Sequence, residues 1–222
     1  MSFSHVQGAG NLNLGAVTTL SVTLPAAPTQ GNIVCVGFVQ AALTSSLNVS
    51  DSNSNVYTYV NGGMNTNTVW SFLFILFPAP ANASATITAT WTGAAVPTIY
   101  ADEFSYSGIL PVFDTSFFGF GTGTAVNLPS ITPTYANSLL YSVCGSGGTI
   151  TSPTAGGTQG IWTGAPGGVQ DGNMAEYVLA ATGATPVNYV QGSALWAATV
   201  LSFGQLPASS TGPSLVSYGK GY

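Results

Sequence analysis

Residues 69–77 read VWSFLFILF, and this nearly continuous apolar stretch decides the fold. Successive residues of an extended strand point to opposite sides. One side carries Trp70, Phe72, Phe74 and Leu76, and the other carries Val69, Ser71, Leu73, Ile75 and Phe77. A strand that is apolar on both faces belongs at the centre of a protein, covered from both sides. Any part of it that is exposed would instead predict an interface.

Further strand patterns surround this stretch. They recur at residues 19–24, 33–36, 85–91, 139–144, 175–180, 187–190 and 195–203. Helix signals are nearly absent, because 28 Gly and 13 Pro are spread through the chain. The sequence therefore predicts an all-β protein, an antiparallel two-layer sandwich of the jelly-roll type.

Two parts of the chain resemble each other at an offset of about 100 residues, which is close to the size of one small domain. Residues 23–34 resemble residues 127–140, and residues 99–105 resemble residues 198–204. An internal duplication would produce this pattern. Its halves could form two sandwiches or interleave into one, and we favour a single double-layer domain.

The predicted boundaries follow from these repeats. Residues 15–206 form the sandwich, from two related halves at about 17–108 and 121–205. Residues 1–14 and 207–222 are rich in small polar residues, and we expect an N-terminal arm and a C-terminal tail there. Ordered arms of this kind usually lie on something, often a neighbouring subunit.

The chain is almost uncharged. Only 3% of its residues are charged, with one Lys or Arg and six carboxylates, against about 25% in an ordinary domain. This composition excludes nucleic acids and anionic membranes as partners, since Lys220 alone cannot neutralise them. A hydroxyl-rich and amide-rich surface suits close packing of many copies, because no ions need to be desolvated.

The beginning of the chain carries no signal-peptide pattern, because no basic or apolar region follows Met1. This favours assembly inside a cell over a cleaved secretory route. The longest apolar stretch has nine residues, fewer than the roughly 20 that a membrane helix needs.

Catalysis lacks candidate residues. His5 is the one imidazole and lies in the predicted arm, where we expect a surface or inter-subunit position. Asp102 and Glu103 are adjacent on a strand and therefore point to opposite faces, so they cannot form a glycosidase pair alone. We predict that the chain is no enzyme and has no cofactor. A glycan depolymerase would require acids to converge in one cleft, from among Asp51, Asp102, Glu103, Asp171 and Glu176.

One segment resembles the start of a calcium loop. Asp51, Asn53 and Asn55 have the spacing of oxygen ligands, but Val56 stands at the position of the turn glycine. The alternative is a turn built on Asx side chains between two strands, which we favour. The glycine-rich residues 119–124 do not match a phosphate loop.

A site for an uncharged glycan is a further candidate. Sugars bind to aromatic faces and to neutral hydrogen-bonding groups. The candidate residues are Trp162 in a glycine-rich stretch and Tyr57 and Tyr59 near a turn.

Cys35 and Cys144 both lie in apolar strands. We expect them to be either buried free thiols or a disulfide.

Several of these motifs resemble β-sandwich proteins of bacterial surfaces and bacteriophage virions. The resemblance lies in residues 31–34, the 51–57 turn, the strand at 83–89 and residues 103–105, within a region of about 17–205. It implies a jelly-roll or lectin-like sandwich used for display, attachment or shell reinforcement. It transfers no catalytic residues.

These observations predict a non-enzymatic virion structural protein. It would be a capsid decoration or fibre subunit on a phage surface, self-associating as a trimer or array and contacting other virion proteins. The alternative is an extracellular bacterial or archaeal protein at the cell surface, either a carbohydrate-binding adhesin or a filament subunit joined by strand donation.

Overall fold

The computed structural model describes residues 2–41, 45–66, 68–148, 150–153, 174–181, 183–185 and 187–205. These residues form twelve β-strands and no helix. The strands are β1 (Ser2–Leu12), β2 (Val17–Thr23), β3 (Ile33–Ala41), β4 (Ser45–Asp51), β5 (Thr58–Asn65), β6 (Val69–Leu76), β7 (Thr86–Ser107), β8 (Pro111–Asn127), β9 (Ser138–Ser146), β10 (Ile150–Pro153), β11 (Met174–Ala181) and β12 (Asn188–Gln205). The predicted all-β, antiparallel sandwich class is confirmed.

Sheet A is the middle layer, with strand order β1-β7-β3-β6-β5. β7 is long enough to serve two sheets. Its residues 96–107 pair with β1 and β3 in sheet A. Its residues 86–95 pair with β2 and β4, which form the smaller sheet B with it. All of these pairs are antiparallel.

Sheet C is the third layer, so the sheets stack in one layer more than the predicted two-layer sandwich. Its order is β10-β12-β9-β11, and β8 also pairs with β12. The two halves of the chain have the same strand order. β7 lies between β1 and β3 in sheet A, and β12 lies between β8 and β9 at the equivalent place in sheet C. The duplication inferred from the sequence nevertheless stays a prediction.

Three apolar clusters hold the layers together. The first joins sheets A and B and includes Phe38, Ile87 and Trp91. The second joins sheets A and C and includes Phe104, Tyr141 and Phe203. The third covers the far face of sheet C. Each large side chain buried in this way stabilises the fold by about 1.5–3 kcal/mol, so sheet A is fixed from both faces.

The stretch that decides the fold lies where its pattern predicts. β6 occupies the position between β3 and β5, and Ser71 and Leu73 are fully buried. Trp70 and Phe72 are only half-buried, because sheet B does not cover the whole of sheet A at this edge.

The N-terminal residues differ from the expected arm. Residues 2–12 are strand β1, paired with β7 from Ser2↔Ser107 to Leu12↔Thr98. Local sequence gives little sign of this, because the strand is held by backbone pairing to a distant segment and by the buried Phe3. The predicted tail at 207–222 lies outside the described residues.

Candidate functional site

A buried polar cluster lies between sheets A and C. His5 Nε2 and Asp102 Oδ1 are 2.8 Å apart, and the hydroxyl of Tyr141 donates to Asp102 Oδ2 at 2.9 Å. The imidazole of His5 stacks on Tyr177 with ring centroids 4.7 Å apart. Burial raises the pKa of Tyr141 well above its usual value, and the nearby Asp102 raises it further. This hydroxyl therefore stays protonated and donates its hydrogen bond to Asp102.

The position of His5 differs from the expected surface or inter-subunit site. Its side chain is 16% exposed and is enclosed by Asp102, Phe104 and Tyr177. A register shift in β1 between His5 and Gln7 accompanies this placement. The contacts with β7 and β11 fasten the first strand to both halves of the chain.

Glu103 lies on the opposite side of β7 from Asp102, as the alternation of a strand predicts. Its carboxylate accepts the amide of Gln7 at 2.5 Å, the backbone N–H of Thr29 at 2.8 Å and the amide of Asn32 at 2.6 Å. Both adjacent acids are therefore buried and engaged, each with separate partners. The two acids do not share a cleft.

The calcium candidate is a turn in the structure. Asp51 accepts backbone N–H groups from Asn53 at 2.9 Å, Asn55 at 3.0 Å and Ser84 at 2.8 Å. It also accepts the side-chain amide of Asn55 at 2.8 Å, and the amide of Asn53 donates to the carbonyl of Asn82. Four N–H donors already bind the carboxylate oxygens of Asp51. A cation needs those oxygen lone pairs for itself, so this arrangement does not suit calcium.

Hydrogen bonding decides the charge state of Asp51. Burial raises the pKa of this carboxyl, but the hydrogen bonds from Ser84, Asn55 and Asn53 outweigh that effect. The pKa therefore lies below its usual value, and the ionised carboxylate fixes the turn.

The structure describes two of the three predicted glycan residues, and these two do not share a surface. Tyr57 is 2% exposed and belongs to the apolar cluster between sheets A and B, so it cannot receive a ligand. Its hydroxyl pKa is raised by burial and by the charge of Asp51. Trp162 lies outside the described residues. Tyr59 is 51% exposed and is the one member of the set that the structure places on the surface.

Tyr59 is part of an aromatic strip on β5 and β6. Its ring lies 6.4 Å from the ring of Phe72 and 5.6 Å from that of Phe74. Trp70 stacks on Phe72 at 5.6 Å with an angle of 24° between the planes. Met64 pairs with Trp70 across the two strands and is exposed. Phe74 is buried in the cluster between sheets A and B, so only the remainder of the strip is exposed or half-buried.

Sequence reasoning missed a second apolar surface on β8. Phe113, Phe117 and Phe120 are exposed along this strand. The sequence pattern that indicates it is the alternation of Phe with Gly and Thr in residues 117–124, the same glycine-rich stretch that does not match a phosphate loop. Alternation at a period of two is typical of a strand.

Cys35 and Cys144 are buried thiols that are not joined in a disulfide, which decides between the two alternatives for these residues. Cys35 packs between sheets A and C, whereas Cys144 belongs to the cluster on the far face of sheet C. Burial and the charge of Asp102 raise the pKa of the Cys35 thiol well above its usual value. Both thiols therefore serve as apolar core residues.

The remaining chemistry is sparse in the described part of the chain. No cluster of three or more His, Cys, Asp or Glu suited to a metal ion occurs among the described residues. The same residues include no helix of the length and hydropathy that crossing a membrane takes. No protein-family model matches the chain, and no curated protein or solved structure matches it either.

Proposed function

We propose that this chain is a non-enzymatic structural subunit of a repeated assembly, as a capsid decoration or fibre subunit on a phage surface. One observation carries the proposal. Among the acidic and basic side chains that the structure describes, none is exposed: His5, Asp51, Asp102, Glu103 and Asp114 are all buried or half-buried. The described surface is thus even less charged than the composition indicates.

The physical consequence concerns contact between copies. Charges on a surface repel identical neighbours and cost several kcal/mol each when they are desolvated at an interface. A surface of hydroxyls, amides and apolar groups has neither cost. Many identical copies can therefore pack at high local concentration, as they do in a shell or fibre.

The engagement of the acids supports a structural role over a catalytic one. Proton transfer needs a titratable group within reach of a substrate. Asp51 and Glu103 each accept hydrogen bonds from three or more protein groups. Asp102 accepts the hydroxyl of Tyr141 and contacts His5, and Asp114 accepts the backbone N–H of Thr134 at 2.7 Å. We propose that these acids are fixed points of the fold rather than reactive groups.

Sedimentation velocity of the full chain tests the proposal. We expect a trimer or larger assembly, and we expect its affinity to stay constant as salt rises. Raising salt from 0.1 M to 1 M shortens the screening length from about 10 Å to about 3 Å, which weakens only charged interfaces. A monomer at all concentrations would overturn the proposal. Co-sedimentation of the chain with phage particles from its source tests the virion location.

The aromatic strip supports a second candidate, the binding of an uncharged glycan by a surface adhesin. Tyr59 offers an exposed ring beside Phe72, and sugar rings stack on such faces. Titration with neutral oligosaccharides, followed by tyrosine and tryptophan fluorescence, would test it. Tyr59→Ala is expected to abolish a saturable change, whereas Val56→Ala, at an exposed residue of the 51–56 turn, is expected to retain it.

A further inference from the structure

β8 carries the densest group of exposed apolar side chains in the described part of the chain. Ten large apolar residues are exposed there, and four of them lie at or beside this strand: Leu110, Phe113, Phe117 and Phe120. These side chains flank the strand rather than form one patch, because Phe117 and Phe120 are an odd number of residues apart and point to opposite faces of β8. Phe120 is 59% exposed although its neighbour Phe118 packs over Gly63 of β5.

β8 is also an edge strand. It pairs with β12 along one side, and no strand among the described residues pairs with its other side. Natural edge strands are protected from pairing by charges, prolines or bulges. β8 has Pro111 at its start, a register shift near Asp114 and a second one at residues 123–125, so only residues 115–122 have none of these devices.

The one charge on the strand is already engaged. The carboxylate of Asp114 accepts the backbone N–H of Thr134 and, at 3.4 Å, the hydroxyl of Ser202. Residues 115–127 contain no charged side chain. Two identical copies of this edge therefore meet without opposing like charges, which is the condition that a two-fold interface imposes.

We propose that β8 pairs with the β8 of a second copy, antiparallel about a two-fold axis at Gly119. This inference rests on the self-association proposed above and names one of its contacts. A two-fold contact joins copies in pairs, so it belongs to a larger assembly and not to a closed trimer. Gly119 has no side chain, and Leu128 of the same chain fills the space that a Cβ would take there. Phe118 of each copy then lies opposite Phe120 of the other.

Aromatic rings meet on one face of the pair in this register. Phe118 and Phe120 share one face of β8, with ring centroids 5.9 Å apart, so four rings from two copies form one cluster. On the other face, Phe117 of each copy lies opposite Gly121 of the second copy, which the ring of Trp196 from its own chain already covers. The pairing also buries the exposed ring of Phe120.

Phe120→Glu tests the contact, with Val56→Glu as the matched control. Both residues are exposed, Phe120 at 59% and Val56 at 71%, but Val56 lies in the turn before β5. We expect Phe120→Glu to weaken association about 30-fold or more, as loss of a central anchor does, and Val56→Glu to leave it unchanged. If circular dichroism shows that Phe120→Glu is unfolded, Thr124→Glu at an exposed residue of the same edge replaces it.

Spin labels test the register. Labels on Thr122→Cys and Thr124→Cys would be separated from their symmetry mates by roughly 20 Å and 34 Å, at about 3.4 Å per residue. The native Cys35 and Cys144 are fully buried and need no replacement. Moving the axis by one residue changes both distances by about 7 Å, so measured values that depart from roughly 20 Å and 34 Å by this much contradict the axis at Gly119.

The outcomes separate the two proposals. A wild-type chain that associates, together with a Phe120→Glu variant of the same affinity, refutes the β8 contact and leaves the structural function standing. A wild-type chain that stays monomeric refutes the proposed function itself. Loss of association in Phe120→Glu alone supports both.

Discussion

At the scale of single residues, Asp51 shows how one carboxylate organises a turn. Its ionised form accepts N–H groups from Asn53, Asn55 and Ser84. Asp51→Asn replaces one acceptor oxygen by a donor that faces these N–H groups. We expect a loss of about 2 kcal/mol in the free energy of unfolding, measured with urea. Asn53→Ala is the control, because it removes a single exposed contact to Asn82 and should cost less.

The same residue predicts a dependence on pH. The pKa of Asp51 is lower in the folded chain than the unfolded value of about 3.9. The stabilisation that ionised Asp51 gives to the folded chain is therefore present above about pH 4, and it is lost as the pH falls through the folded pKa. The difference in stability between the wild type and Asp51→Asn should shrink over this range. Added calcium should leave both melting temperatures unchanged, and a rise in the wild type alone would restore the calcium alternative.

The cluster around Asp102 makes a separate prediction. Asp102→Ala leaves the buried hydroxyl of Tyr141 without this acceptor and removes the hydrogen-bond partner of His5. We expect a cost of about 1–3 kcal/mol in urea unfolding. Tyr141→Phe alone should lower the free energy of unfolding by less than Asp102→Ala does. In a chain that already carries Asp102→Ala, Tyr141→Phe should lower it little further. Additive costs would show that the two residues do not interact.

At the scale of elements, glycines set the distance between sheets A and C. A Cβ added at Gly145 of β9 would lie 2.3 Å from Val39 of β3, too close for real atoms. We expect Gly145→Ala to destabilise the chain by about 1–3 kcal/mol through overpacking. Gly147→Ala is the control, because its Cβ would meet Ala194 at an ordinary 3.8 Å. Equal stability of the two variants in urea would mean that the sheets can separate without cost.

The elements also show what the sequence can predict. Residues 33–36 and 69–77 were recognised as strands because their apolar character needs no partner to be visible. β1 and the greater part of β8 were missed, because their small and polar residues form strands only through pairing with β7 and β12. Tyr57 and Tyr59 look alike in sequence, yet sheet B covers the first and leaves the second exposed. Whether a side chain is buried or exposed depends on the neighbouring sheet, which is formed by segments far away in the sequence.

At the scale of the whole molecule, stability comes from packed sheets and not from covalent links. Cys35 and Cys144 are not joined in a disulfide and lie in different apolar clusters. We expect the melting temperature to be the same with and without reductant in calorimetry. Ellman's reagent should react with neither thiol in the native chain and with both after unfolding. A melting temperature that falls in reductant would contradict the arrangement of the layers.

The position of sheet A has a consequence for biosynthesis. Phe3 pairs opposite Tyr106, so the first strand can dock only after about 100 further residues have been synthesised. At usual rates of translation this takes roughly 5–20 s. The face of sheet A that packs on sheet C waits longer still, because Phe203 is needed to cover it. During that interval, a growing polypeptide presents a large unsatisfied surface to its surroundings. The ribosome-bound nascent chain is therefore the stage at which holding chaperones would matter most for this protein.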